Sequence, residues 1–285
     1  GAALTNDHIT TDYSEALIEL VTPTFTSNWE LLQYLCDLHQ FVYRHLDDEL
    51  LWATSMPCVL EGDASIPIAQ YGPSNVGRMK TIYREGLGVR YGRVMQAISG
   101  VHFNYSFPQR LWEPWAAICE SRDTGSAFVS SGYFDLLRNY RRHGWIVLYL
   151  FGVSPTVCKS FLRARGETLP EFTRGTGWEP YATSLRMSDL GYRNRSQSGV
   201  EVSVNSLGEY VRDLTRATTT VHPEYERIGV KVDGQYRQLN ANLLQIENEY
   251  YAFIRPKRVA RSGERPTRAL TRAGVEYVEV RALDV

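Results

Sequence analysis

Residues 96–107 read QAISGVHFNYSF, and the alternation in this stretch decides the fold class. Successive side chains of an extended chain point to opposite faces, so Gln96, Ile98, Gly100, His102, Asn104 and Ser106 share one side while Ala97, Ser99, Val101, Phe103, Tyr105 and Phe107 share the other. The second set suits a core; the first carries His102 and Asn104. Two later segments repeat the pattern. Residues 245–255 alternate until Pro256, with Glu247, Glu249, Tyr251, Phe253 and Arg255 on one side, and residues 275–283 set Tyr277, Glu279 and Arg281 opposite Val278, Val280 and Ala282. Three strands with ionisable residues on one face predict an antiparallel sheet.

Helical patterns surround these strands. Residues 27–52 open with the capping-box pattern Ser27-Asn28-Trp29-Glu30 and place Leu31, Leu35, Leu38, Val42 and Leu46 near one helical face. Helices are also predicted over 76–91, 109–120, 133–150, up to about 162 after Ser154-Pro155, and over 206–218 with Ser206 as cap. Residues 9–23, rich in β-branched types, read as a strand, and 169–178 as a loop. Asp233-Gly234 between two short extended runs predicts a type I′ hairpin. The class is therefore α+β, with helices covering the sheet, and no internal repeat is visible.

Composition narrows the partners. The 285 residues carry 31 Lys plus Arg against 32 Asp plus Glu, which gives no electrostatic footprint for nucleic acid or an anionic membrane. Cys36, Cys58, Cys119 and Cys158 are widely spaced and lack zinc-site spacing, so they read as reduced thiols of a cytoplasmic protein. The longest apolar run, residues 145–153, is half of what a bilayer span requires, and no basic segment followed by an apolar one opens the chain.

Polar faces bearing His102, Glu247, Glu249, Glu279 and Arg281 cost desolvation if buried, and they are not needed for folding. Either they are the solvent side of the sheet or they hold a metal or an anion. Carboxylates with one histidine and no thiolate suit Mg²⁺, with Mn²⁺ as the alternative. Asp12, Glu15 and Glu19 add acids within eight residues. Residues 71–84 (YGPSNVGRMKTIYR) form a Gly-containing helix entry without Walker spacing, although Lys80, Arg84 and Arg90 could meet phosphates or carboxylates. Arg186, in the polar stretch 180–197, is either a fork for a substrate carboxylate or a surface arginine. Cys58 with His102 lacks any third group to orient a nucleophilic pair.

DYSEALIELVTP, SMPC, QYGPSNVGRMKTIYREGL, RYGRVMQAISGVHFNYSFP, GYFDLLRNYRRHGW, PYATSLRMSDLGY, QIENEYYAFIRPKR and GVEYVEVRALD resemble, in order and across nearly the whole chain, blocks of the proteobacterial class of glutamate-cysteine ligase. The resemblance implies a curved antiparallel sheet with outer helices, like the catalytic domain of glutamine synthetase and the guanido kinases. It implies the reaction as well: ATP phosphorylates the γ-carboxylate of L-glutamate, and the amine of L-cysteine displaces phosphate to give γ-glutamylcysteine, the first step of glutathione synthesis. Matching positions make Asp12, Glu19, His102 and Glu279 ligands of Mg²⁺. Tyr13, Tyr83, Tyr192 and Tyr251 line a cysteine pocket, Arg186 grips a glutamate carboxylate, Gln96 places substrate, and Arg281 and Arg84 meet phosphoryl oxygens. A monomeric, cytoplasmic enzyme with neither nucleic-acid nor membrane partners is expected. A related amine ligase with another acceptor, or a binding module without chemistry, are the alternatives.

Members of that family also carry an upstream strand with two closely spaced glutamates and a long helical continuation. The chain is therefore expected to be one catalytic domain, residues 1–285, incomplete at both ends, and to show little activity by itself.

Overall fold

Asp233 and Gly234 take φ of 50° and 79°, the two positive values a type I′ turn requires, and they close a hairpin in which Lys231 pairs with Tyr236 and Val232 with Gln235. The computed structural model describes residues 4–191, 197 and 199–285. In chain order its elements are β1 (Ile9–Thr11), β2 (Ile18–Leu20), α1 (Asn28–Tyr43), α2 (Asn75–Tyr91), α3 (Arg93–Gln96), β3 (Val101–Tyr105), α4 (Trp112–Ile118), α5 (Ser126–His143), α6 (Trp145–Phe151), β4 (Thr156–Cys158), α7 (Lys159–Arg165), β5 (Glu171–Thr173), β6 (Thr176–Trp178), α8 (Leu207–Thr219), α9 (Pro223–Ile228), β7 (Lys231–Val232), β8 (Gln235–Tyr236), β9 (Ile254–Lys257), α10 (Pro266–Ala273) and β10 (Tyr277–Leu283). The α+β class with antiparallel sheets is what the structure shows. The described residues fall into two compact units, one drawn from Gly1–Ile98, Val157–Gly177 and Ile228–Leu239, the other from Ser99–Thr156, Trp178–Arg227 and Asn240–Val285.

In the first unit, residues 9–23 are not one strand. The chain reverses between Asp12 and Leu17, whose backbone bond (Asp12 N to Leu17 O, 3.0 Å) closes β1 onto β2 with Thr10 opposite Glu19. The Tyr71 hydroxyl ties this hairpin to the approach to α2 by donating toward the carbonyls of Thr11 (2.9 Å) and Asp12 (3.0 Å). Ser27 caps α1 through the amide of Glu30, as its sequence position predicts, and Ser74 caps α2 through the amide of Gly77. α1 stops at Tyr43, and farther on Asp47 adopts a left-handed φ of 45° that a helix continuing to residue 52 cannot include. Farther along α2, the Arg90 guanidinium grips the Gln238 side-chain oxygen (2.9 and 2.8 Å), which joins the helix to the segment of the I′ hairpin. Residues 169–178, expected to be loop, close as the β5–β6 hairpin, and the extended β4 precedes α7 where helix was expected.

In the second unit, α5, α8 and α10 supply one side of a core that includes Phe134, Leu137, Tyr210, Leu214 and Leu270, and β9 and β10 contribute Ile254 and Val278. The helix expected over 133–150 begins earlier, at Ser126, and breaks at Gly144, where a Cβ would stand 2.5 Å from the Tyr140 carbonyl oxygen. The sheet order is β3-β10-β9. Among the described residues β3 therefore pairs through one edge only, and Val101, Phe103 and Tyr105 remain 42%, 40% and 43% exposed. The expectation that this face of β3 packs on the core fails, since the core face of the sheet is supplied by β10 and β9 instead.

Candidate active site

The register of the three-stranded sheet determines what meets what. Glu279 lies opposite Asn104 on one side and Arg255 on the other. By strand alternation His102, Arg281 and Lys257 then share its face. A bulge between Val280 and Leu283 follows immediately, ending regular pairing beside this group.

Four basic or imidazole groups converge on the Glu279 carboxylate. Arg281 Nη1 lies 3.3 Å from its Oε2, Lys257 Nζ 3.8 Å from Oε1 and His102 Nδ1 4.0 Å from Oε1, while Arg281 Nη1 also stands 3.3 Å from His102 Nδ1. Burial alone would raise the Glu279 pKa, but Lys257, Arg281, Arg255 and His102 outweigh it and hold the group down at about 2. His102 moves the same way for a different reason: burial and the charge of Arg281 push it down to about 3 against the pull of Glu279. At neutral pH the carboxylate is ionised and the imidazole neutral. Lys257 is lowered by burial, opposed by Glu279.

Arg186 lies under this group rather than at its surface. It is 0% exposed; Nη2 donates to the Arg281 carbonyl (2.9 Å), and Nη1 sits 3.9 Å from Asp284 Oδ1. A Cβ on Gly100 would fall 2.0 Å from Arg186 Nη2, so glycine is what lets the guanidinium reach this position.

A second cluster stands in the first unit. Asp12 and Glu19 fall on one face of the β1–β2 hairpin, Asp12 two residues beyond the Thr10 that pairs with Glu19. Arg84 Nε donates to the Asp12 carbonyl (2.5 Å), and its guanidinium lies over the Tyr71 ring at 4.5 Å with Lys80 at 5.2 Å. Burial raises the Tyr71 pKa, with Asp12 and Glu19 adding to it; burial also lowers Lys80, with Arg84 adding and Glu19 opposing. The third acid of the run, Glu15, is used locally to accept from the Gln70 amide.

The expected residues thus fall into distinct groups. His102, Glu279 and Arg281 come together, as do Asp12, Glu19 and Arg84. Tyr83 and Gln96 are half-buried on α2 and α3 of the first unit. Tyr13 is 2% exposed, with burial raising its pKa and with its hydroxyl where a Cβ on Gly88 would come within 2.6 Å; its side chain is part of that unit's interior. The backbone amide of Tyr251 donates to Gln197 Oε1 (3.0 Å) in the second unit, and Tyr192 lies outside the described residues.

Residues 245–255 do not form the expected strand. Glu247–Glu249 is a 3-10 turn; the Glu247 carboxylate accepts from Thr267 Oγ1 (2.8 Å) and that of Glu249 from the Gln245 amide (2.6 Å), so both acids satisfy local buried donors and leave the sheet face. Lys257 was not singled out in the sequence because Pro256 masks the alternation that places it beside Arg255. Among the described residues no group of three or more His, Cys, Asp or Glu side chains could hold a metal. His102 and Glu279 nevertheless have the protonation states of ligands, and Mg²⁺ takes few protein donors where phosphate oxygens and water complete its shell.

Known proteins share this arrangement of sequence and fold. The family model described as glutamate-cysteine ligase matches residues 1–285. A glutamate-cysteine ligase of Alcanivorax borkumensis is 53% identical over 290 residues, and one of Edwardsiella ictaluri is 54% identical over 286; each comparison covers 100% of this chain and 55% of the relative. The chain spans about half the length of the curated relatives it matches. Among solved structures, the Francisella tularensis glutamate-cysteine ligase in complex with AMP superposes with a TM-score of 0.91 at 43% identity, covering 100% of this chain and 56% of that one. A bifunctional glutathione synthetase of Pasteurella multocida gives a TM-score of 0.72 at 26% identity, with 100% and 32% covered.

Proposed function

This chain belongs to the glutamate-cysteine ligase family, and on that premise we propose that it carries part of the catalytic apparatus of an ATP-dependent ligase. The reaction joins the γ-carboxylate of L-glutamate to the amine of L-cysteine through an acyl phosphate, as the first step of glutathione synthesis, in a cytoplasmic monomer. The observation that carries the reading is the convergence of Lys257, Arg255 and Arg281 on the single carboxylate of Glu279. Cations crowded about one carboxylate suit a ligand that brings several negative oxygens, as a triphosphate or acyl phosphate does.

Each residue then has a task. Glu279 fixes the Arg281 guanidinium, which meets phosphoryl oxygens; Arg186, bonded to the Arg281 carbonyl, holds that strand in place and supports recognition of a glutamate carboxylate. Arg84, steadied over the Tyr71 ring, serves phosphate in the first unit. Within the second unit His102 and Glu279 are the donors offered to Mg²⁺, and within the first unit, taken by itself, Asp12 and Glu19 are, with Mn²⁺ as a substitute. When bound, the ion neutralises phosphate charge and orients in-line transfer. Tyr83, Tyr251, Tyr13 and Tyr192 are assigned to the cysteine side, Tyr13 through packing, and Gln96 to substrate placement.

The test is γ-glutamylcysteine formation that requires both ATP and cysteine. Alanine, serine and 2-aminobutyrate as acceptors separate this reading from a related amine ligase, and Mg-ATP binding without phosphate release would replace it with a binding module. Arg186→Ala should raise the glutamate KM sharply, and an unchanged KM removes its carboxylate role.

A further inference from the structure

Two of the four cysteines stand together. Cys58 lies in the loop before α2 and Cys158 immediately before α7, 100 positions later, and both are half-buried, whereas Cys36 and Cys119 are exposed. The two thiols lie close enough for each to shift the ionisation of the other. Ser160 binds the two segments, its hydroxyl accepting from the Leu60 amide (3.0 Å) and donating to Cys158 Sγ (3.1 Å).

The backbone between the thiols and Ser160 is strained. Val59 has φ of 54°, a left-handed value that a β-branched side chain resists, and its side chain is 78% exposed, so apolar burial does not account for it. The Val59 amide lies on the side of the sulfurs, where it favours the ionised form of both Cys58 and Cys158.

The two sulfurs are not equivalent. Burial raises the Cys58 thiol and its bond to Cys158 adds to this, keeping it protonated. Burial opposes ionisation of Cys158 too, but donation from Ser160, Val59 and Cys58 outweighs it and brings the thiol down to about 7. An attacking thiol works best with a pKa near ambient pH.

We propose that Cys58 and Cys158 form a redox-active dithiol pair, with Cys158 as the attacking sulfur and Cys58 as the resolving one, that takes small organic disulfides as oxidant. Cys158 thiolate attacks one sulfur of RS–SR, forming Cys158–S–SR and expelling RS⁻, which takes up the Cys58 proton. Cys58 thiolate then attacks the Cys158 sulfur, forming the protein disulfide and expelling the second RS⁻, which is protonated. Two protein thiols are oxidised, and one small disulfide is reduced to two thiols.

The experiment treats the protein at pH 7 with one equivalent of bis(2-hydroxyethyl) disulfide, then counts thiols and maps peptides by mass spectrometry. The expected result is a fall from four titratable thiols to two, with one linked peptide pair joining positions 58 and 158, reversed by dithiothreitol. Cys58→Ser should trap the hydroxyethyl adduct on Cys158, and Cys158→Ser should leave Cys58 unmodified. Adducts confined to Cys36 and Cys119, absence of the linked peptide from the wild-type protein, or no adduct on Cys158 in the Cys58→Ser protein would overturn the proposal.

Discussion

Glu279 and Arg281 stand two residues apart on β10 and face the same way, with Arg281 Nη1 3.3 Å from Glu279 Oε2. The carboxylate thereby holds the cation in place while Lys257 approaches its other oxygen. Replacing Glu279 with Gln keeps the shape and removes the charge. In a full-length context we expect turnover to fall by about 100-fold or more, the scale seen when one preorganised electrostatic partner is lost. The folded-state pKa lies below the ordinary value of about 4.3, so the stabilisation Glu279 provides is present above that pH and disappears as pH falls through about 2. Denaturation of wild type and Glu279→Gln should therefore differ at pH 7 and converge near pH 2.

His102 provides an independent check with the opposite chemistry. The native state keeps the imidazole neutral down to about pH 3, whereas the unfolded chain takes a proton near 6.5. The unfolded state thus binds more protons between these limits, and stability must decrease as pH falls through them. His102→Asn should lose less stability than wild type on going from pH 7 to pH 4. The imidazole resonances of native His102 should not titrate above about pH 5; a midpoint near 6.5 would refute the assigned environment.

Gly100→Ala tests the space beneath Arg186. The added methyl group would meet a guanidinium that is 0% exposed and bonded to the Arg281 carbonyl, so it cannot simply swing into solvent. Overpacking of this kind costs about 1–3 kcal/mol, readable by urea denaturation. Combining it with Arg186→Ala should recover part of that loss, because the two changes share one clash.

Asp12→Asn should leave the melting temperature nearly unchanged, since Asp12 is exposed, yet raise the Mg²⁺ concentration for half-maximal turnover by about tenfold. An unchanged Mg²⁺ midpoint would take Asp12 off the list of metal donors.

What the sequence made legible depended on whether a signal was local. The caps at Ser27 and Ser206 and the turn at Asp233-Gly234 are set by a few adjacent residues, and each appears where its chemistry places it. The group of His102, Glu279 and Arg281 was also visible, because strand alternation fixes which side chains share a face. The misread segments depended on distant partners. Glu247 and Glu249 alternate as a strand would, but the Thr267 hydroxyl, 20 positions beyond Glu247, holds that carboxylate in a turn. Arg186 reads either as a carboxylate fork or as a surface arginine until Gly100 opens the space in which it is buried. The exposed apolar row on β3 shows the same limit, for periodicity reveals that a face exists without saying whether anything covers it.

The protonation states around β10 have one further consequence. With Glu279 ionised above about pH 2 and His102 neutral above about pH 3, neither group changes charge anywhere in the physiological range. The charge on this carboxylate and this imidazole is constant across the conditions a cell can impose. Loss of turnover on mild acidification then has to arise outside these two groups, and the acceptor is one source, since an amine attacks an acyl phosphate only after giving up its proton. The acid limb of the rate profile should accordingly move with the basicity of the acceptor amino acid and stay indifferent to substitution at His102.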